Sequence, residues 1–289
     1  MNPLRPGLRR VLRWLGYGAA GLLALLLLCA GYVYAASGLA LRRTYEAEAH
    51  PVEARDDSAT ITEGGRLAKI RGCYGACHGE GDGLVVDEPF IAAGAIPDLT
   101  RLVRNYDDAQ LERAIRHGIK PGGRSVIEFM PSAMFSRLSD QDFGAIVAFL
   151  RSLPEANGPQ GGLRFKPLAR AMIAIGRMGF AAEQIDEPVT HPAPDRSDPI
   201  AFGRYLALTS CTECHGSDLA GSGGMLAAPD LRIAGAYSLE QFTRLMREGV
   251  PVDGRDLGLM GRASRGRFSN FTDEEIAPLH AYLRGRARK

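Results

Sequence analysis

The first pattern along the chain is an unbroken apolar one. From Trp14 to Leu41 no charged residue occurs, and the centre, Gly21 to Tyr34, holds the run Leu25-Leu26-Leu27-Leu28. A stretch of this length is predicted to span a bilayer as a helix. Arg5, Arg9, Arg10 and Arg13 precede it. Residues 1–43 are therefore predicted to form a cytoplasmic tip and a single N-terminal span, with everything beyond on the far side of the membrane. Tyr17, Tyr32 and Tyr34 suit interfacial positions. A cleaved signal peptide is the alternative, with Val33-Tyr34-Ala35 as a passable cleavage context. The apolar run is longer than a usual signal core, which favours retention. Cys29 lies inside the run and reads as a membrane-embedded thiol.

Beyond residue 43 the apolar positions recur at helical spacing. Leu111, Ala114 and Ile115 share one side of a segment near Asp107 to His117. Phe143, Ile146, Val147 and Leu150 fall on one face of Asp140 to Leu150, with Ser139 as N-cap. Both patterns return later. Phe242, Leu245 and Met246 lie within Leu239 to Glu248, and Thr272 with Glu275 forms a capping box before a last helix. Pro278 falls inside that helix and predicts a kink or a late start.

These recurrences belong to one internal repeat. Gly65-Arg66 answers Gly203-Arg204, each glycine eight residues before a cysteine. Pro97-Asp98-Leu99 answers Pro229-Asp230-Leu231, and Gly123-Arg124 with Met130 answers Gly254-Arg255 with Met260. Ala148-Phe149-Leu150-Arg151 answers Ala281-Tyr282-Leu283-Arg284. The predicted organisation is an anchor (1–43), a tether (44–60), one module (61–155), a linker (156–198) and a second module (199–289). The fold class is all-α. Gly65 and Gly203 are expected to let the first helix of each module approach the last, against Phe149 and Tyr282. The linker is rich in Pro and Gly at both ends, from Pro154 to Gly162 and from Pro188 to Pro199. Between them Leu168 to Phe180 is apolar and helical in pattern. It is expected to strap across both modules, or else to lie on a membrane surface or dock a partner.

The chemistry sits at matched places in the repeat. Cys211-Thr212-Glu213-Cys214-His215 is a C-x-x-C-H run, the attachment signature of a c-type haem. Two thiols suit bonds to one macrocycle, and the adjacent imidazole can bind its iron. A redox dithiol or half a zinc site is the other meaning of C-x-x-C. The first module carries Cys73-Tyr74-Gly75-Ala76-Cys77-His78, with three residues between the cysteines. On a helix, positions i and i+4 also share a face, so two-point attachment is expected there too, the alternatives being single attachment through Cys77 or failed attachment. The equal spacing from Gly65 and Gly203 places the extra residue between the cysteines. Met130 and Met260 are the candidate sixth ligands, because they recur in register; the alternative is a gap-filling core methionine. Met134 and Met225 have no counterpart in the other copy, nor do His50, His117, His191 and His280. A carbonyl near Pro97 or Pro229 is expected to accept the imidazole N–H. Arg124 and Arg255 are candidate partners for haem carboxylates, or else solvated charges. The runs Gly79–Gly83 and Gly221–Gly224 read as loops.

Charge narrows the picture further. The net +2 comes from the N-terminus, since residues 44–289 carry 29 basic and 33 acidic side chains. A mildly acidic body carries no nucleic-acid footprint.

The haem motifs, the Pro-Asp-Leu segments and the late methionines resemble those of the membrane-anchored dihaem branch of the class I c-type cytochromes. The chain is similar to the cytochrome subunits that accept electrons from periplasmic dehydrogenases of bacteria. The resemblance spans residues 61–285. It implies two tandem class I cytochrome c domains, two covalently bound haems c, His78 and His215 as proximal iron ligands, and Met130 and Met260 as distal ones. It also implies a bacterial inner-membrane protein with its haem domains in the periplasm. Such a chain passes electrons between a periplasmic dehydrogenase and a membrane oxidase or quinol-linked complex, without catalysing bond chemistry itself. The rival reading is a haem enzyme, a dihaem peroxidase or a thiol-oxidising cytochrome, which needs an open or displaceable sixth position. The three-residue spacer departs from the family pattern.

Overall fold

The structure, a computed structural model, describes residues 6–185, 191–223 and 227–287. Arg5, Pro188, Gly224 and Met225, named above, lie outside the described residues. Helix α1 (Pro6–Arg42) is one continuous rod. Every residue from Trp14 to Tyr32 is exposed; further on, the stripe Val33, Ala36, Ser37, Ala40 and Leu41 becomes covered. This is a helix long and apolar enough to cross a membrane by length and composition.

The first repeat unit begins with α2 (Ser58–Ile70), capped by Asp57, whose carboxylate accepts from the Thr60 backbone N–H at 3.0 Å. A short antiparallel ladder follows, β1 (Leu84–Asp87) against β2 (Ala92–Ile96). Next come α3 (Leu99–Asn105), α4 (Asp108–Arg116), the single turn α5 (Ser132–Phe135) and α6 (Asp140–Ser152). Ser139 caps α6 as its sequence position predicts, bonding the Asp142 N–H. The linker adds a third strand, β3 (Arg164–Phe165), to the edge of β2, then helix α7 (Pro167–Ala174). The second unit comprises α8 (Pro199–Leu208), the turn α9 (Thr212–His215), α10 (Leu239–Glu248), α11 (Leu259–Gly266) and α12 (Asp273–Arg286). Thr272 and Glu275 form the expected capping box. Helix α12 continues through Pro278 rather than starting there.

Each unit has its own apolar core. Leu67, Leu111, Met134, Phe143, Ile146 and Leu150 anchor the first; Phe202, Leu206, Phe242, Phe271, Leu279 and Leu283 anchor the second. In both, the first helix crosses the last at backbone contact, and glycine permits it. A methyl group added to Gly64 overlaps the Ala145 carbonyl and stands 3.0 Å from Phe149 Cβ; one added to Gly203 overlaps the Pro278 carbonyl and stands 2.9 Å from Tyr282 Cβ. Gly64, not Gly65, is therefore the structural counterpart of Gly203. Gly65 meets only the Phe149 ring. The repeat register shifts by one residue, which matters at the cysteines.

The small sheet was not anticipated from the pattern. The linker also departs from the first expectation. Helix α7 does not strap both units: Ala169, Ile173, Met178 and Phe180 pack with Ala40 and Leu41 of α1 and with Ile91 and Ile127 of the first unit.

Candidate functional site

Two matched turns present the candidate ligands. His215 closes α9, and its Nδ1–H donates to the Pro229 carbonyl at 2.8 Å. His78 Nδ1–H donates to the Pro97 carbonyl at 3.0 Å. The prolyl carbonyl fixes ring orientation and tautomer, leaving Nε2 with its lone pair for a metal. Burial lowers the pKa of both imidazoles, partly offset by the prolyl carbonyl. Both rings are neutral near pH 7, the form that ligates.

The cysteines approach these histidines by different routes. Cys211 N–H bonds the Ala207 carbonyl at 2.9 Å, and His215 N–H bonds Cys211 at 3.0 Å, continuing a helical turn. In the first site Cys73 N–H bonds the Ala68 carbonyl at 2.9 Å, one residue further along, and Cys77 N–H reaches back to Gly72 at 3.0 Å. With Gly64 matched to Gly203, Ala68 matches Ala207. The first site therefore holds two extra residues, one before Cys73 and one between the cysteines, not one alone. Gly72 (φ 78°) and Gly75 (φ 79°) absorb them in left-handed turns that side chains disfavour. The Cys73–His78 run is not helical, so the shared helical face expected for Cys73 and Cys77 is absent. Desolvation pushes the Cys73 and Cys211 thiols up to about 12 and raises Cys77 and Cys214 as well. Such thiols stay protonated near neutral pH and are sluggish toward oxidation.

Met130 and Met260 are half-buried, each at the edge of its unit's core. Met134 is sealed inside the first core. His280 is buried, stacks on Phe242 and bonds the Tyr237 carbonyl at 2.9 Å, a packing role. His117 faces Glu112 at 3.3 Å. Arg124 and Arg255 are exposed, and Arg255 faces Asp253.

Sequence reasoning missed the seam between the two units. Tyr205 on α8 donates to Asp142, at the third position of α6, at 2.6 Å and accepts from the Ser139 N–H at 3.1 Å. Arg66 on α2 makes the matching bond to Glu275, at the third position of α12, at 2.6 and 2.8 Å. By the corrected register Arg66 and Tyr205 are equivalent, as are Asp142 and Glu275. The seam thus has approximate twofold symmetry, and it brings the two cysteine segments together. Arg267 bridges them: its Nε donates to the Ile70 carbonyl at 3.1 Å and its Nη1 to Glu213 at 2.9 Å. Burial opposes the Arg267 charge, but Glu213 holds its pKa above the ordinary value. Arg71 is 1% exposed and donates to Thr209 at 3.0 Å, while its Nε and Nη1 have no hydrogen-bond acceptor among the described residues. Buried charge at two motif edges was the available signal; each residue alone reads as surface.

The donor set fits a haem of the c type: paired thiols, an oriented neutral imidazole and a thioether in each unit. Two helical units so equipped define a cytochrome. The Cytochrome c family model matches residues 61–154 and 200–287, and the chain belongs to that family. Haem c is the cofactor its domains imply.

Among its relatives is the fructose dehydrogenase cytochrome subunit of Gluconobacter japonicus, 27% identical, covering 82% of this chain and 55% of that one. The cytochrome c subunit of the quinone alcohol dehydrogenase of Gluconacetobacter polyoxogenes is 26% identical, covering 79% and 56%. The gluconate 2-dehydrogenase cytochrome c subunit of Pantoea cypripedii is 28% identical, covering 55% and 38%. The chain spans little more than half the length of the first two.

Proposed function

We propose that this chain is a membrane-tethered electron carrier serving a periplasmic dehydrogenase, with one haem c in each unit. Cys73, Cys77 and His78 hold the first haem, and Cys211, Cys214 and His215 the second. Met130 and Met260 supply the sixth ligands. Haem contributes one-electron redox chemistry, and a His/Met ligand pair favours transfer over substrate binding. The chain's own residues orient the ligands, exclude water and set the field. The dehydrogenase hands electrons in, and a membrane oxidase or quinol-linked complex exchanges them at the other end. The haem domains lie in the periplasm, following the arginines before α1. The seam supports direct passage between haems, because Arg267 joins the end of α2, three residues before Cys73, to Glu213 between the second pair of cysteines.

The carrying observation is the pair of histidines fixed alike by Pro97 and Pro229. The test is intact-mass measurement with redox titration of the exported full-length chain. Two added haems and two one-electron waves are expected; a single added haem removes the first site from the scheme. Met260→Ala is expected to lower only the second potential, and an unchanged titration excludes that ligand. Arg71→Met is expected to lower both potentials, since a buried cation favours the reduced iron.

A further inference from the structure

Helix α7 is the one element whose packing the electron-carrier role does not account for. It lies along the end of α1 rather than across the seam. Arg170 donates to Ser37 Oγ at 3.1 Å, and its guanidinium stands 5.0 Å from the centre of the Tyr34 ring. Ala169 and Ile173 face Ala40 and Leu41 inside the small core there. One face remains uncovered. Leu168 is 49% exposed and Ile175 66% exposed, seven residues apart and hence on one side of the helix.

The bare part of α1 fixes the depth of this face. From Trp14, the first residue after the charge of Arg13, to Tyr32, α1 is uncharged and has no protein over it, and at about 1.5 Å per residue this stretch measures about 28 Å. A bilayer's hydrocarbon core is about 30 Å thick. Protein cover starts at Val33, where hydrocarbon ends, so α7 is held at headgroup level. Its charge suits that level. Arg164 and Arg177 are exposed at its two ends with no acid between residues 164 and 180, while Lys166 is paired with Asp87 at 2.7 Å and Arg170 is engaged by α1. A short helix with an apolar face and basic flanks is the composition of an interfacial element.

We propose that residues 164–177 form a membrane-surface bracket, with Leu168 and Ile175 inserted among anionic lipid headgroups at the far end of α1. This rests on α1 being a membrane span. The bracket is tied to the first unit through β3 on β2 and through the Glu128 N–H to the Gly179 carbonyl at 3.2 Å. It therefore holds the first unit, and the segment leading to Met130, toward the bilayer.

The test uses the haem-loaded full chain in nanodiscs of mixed phosphatidylglycerol and phosphatidylcholine, with Cys29→Ser to remove the free thiol. Spin labels are placed singly through Ile175→Cys, Leu26→Cys and, as a water-exposed control on the second unit, Glu240→Cys. Collision with oxygen and with a water-soluble nickel chelate reports depth. The Ile175 label is expected to be several-fold less accessible to nickel than the Glu240 label, and to gain accessibility in pure phosphatidylcholine. A buried Leu26 label with an Ile175 label as accessible as the control overturns the bracket while leaving the span intact. A water-exposed Leu26 label overturns the span and the bracket with it. No response to lipid charge overturns the anionic-lipid assignment.

Discussion

In the first unit His78 lies 14 positions after Gly64, whereas in the second His215 lies 12 after Gly203. The histidines nonetheless bond equivalent prolyl carbonyls within 0.2 Å of the same length. The second unit reaches its ring through an ordinary helical turn. The first reaches it through two glycine turns that let the chain bulge and return. The contrast separates two roles in the motif. The imidazole and its carbonyl are fixed by the body of the fold, at the edge of the core. The cysteine spacing is set by a loop that tolerates insertion if glycine stands where φ is positive.

The largest expected effect tests that tolerance. Gly72 combines positive φ with Arg267 only 3.1 Å from where a Cβ would stand. Gly72→Val should reduce the haem count of the exported protein from two to one in intact-mass spectra, whereas Thr212→Val in the helical turn should keep both. Equal loss in the two variants would end the distinction between loop and turn.

Next in size is the helix crossing shared by the units. Gly64→Ala and Gly203→Ala should each destabilise their own unit by roughly 3 kcal/mol, because a backbone carbonyl blocks the new methyl. Gly65→Ala should cost less than about 1 kcal/mol, since the Phe149 ring can tilt and alanine favours the helix. Thermal unfolding of the haem-loaded chain checks the order, and a Gly65 variant as damaging as the Gly64 one would restore the register read from sequence.

Smaller again are the two halves of the seam. Glu275→Gln keeps the capping box but removes the charge facing Arg66, at a cost of about 2–3 kcal/mol, moderated by partial exposure of the arginine. Tyr205→Phe leaves the Asp142 carboxylate short of one donor, at about 1–2 kcal/mol. Hydrogen exchange along α2 and α8 reads both. Equal effects would mean that the ion-paired half of the seam carries no advantage over the tyrosine half.

Much of this architecture is legible in the sequence, for identifiable reasons. Helices α4, α6, α10 and α12 announce themselves through caps and apolar faces, since both depend on local chemistry. The histidine–proline pairing follows from the repeat. The β1–β2 ladder does not, because Ala92 to Ala95 lacks the branched and aromatic residues that mark strands. Adjacent glycines hid the true register: Gly64 and Gly65 are chemically identical, and only the carbonyl opposite tells them apart. Arg66, Arg71, Tyr205 and Arg267 were invisible as a group because each has a partner in the other unit. The partner of α7 was equally non-local.

The seam has one further consequence. Arg66–Glu275 and Tyr205–Asp142 occupy equivalent positions, so each unit offers the other the same face, as subunits of a twofold dimer do. Here the two halves share one chain. A tether of this kind maintains an effective concentration in the millimolar range. The seam can therefore rest on a few hydrogen bonds and the burial of Ile70 in the second core, contacts individually too weak to hold free monomers together. Were a bond in it to break, the halves would stay within reach of each other and could re-form it without ever parting company.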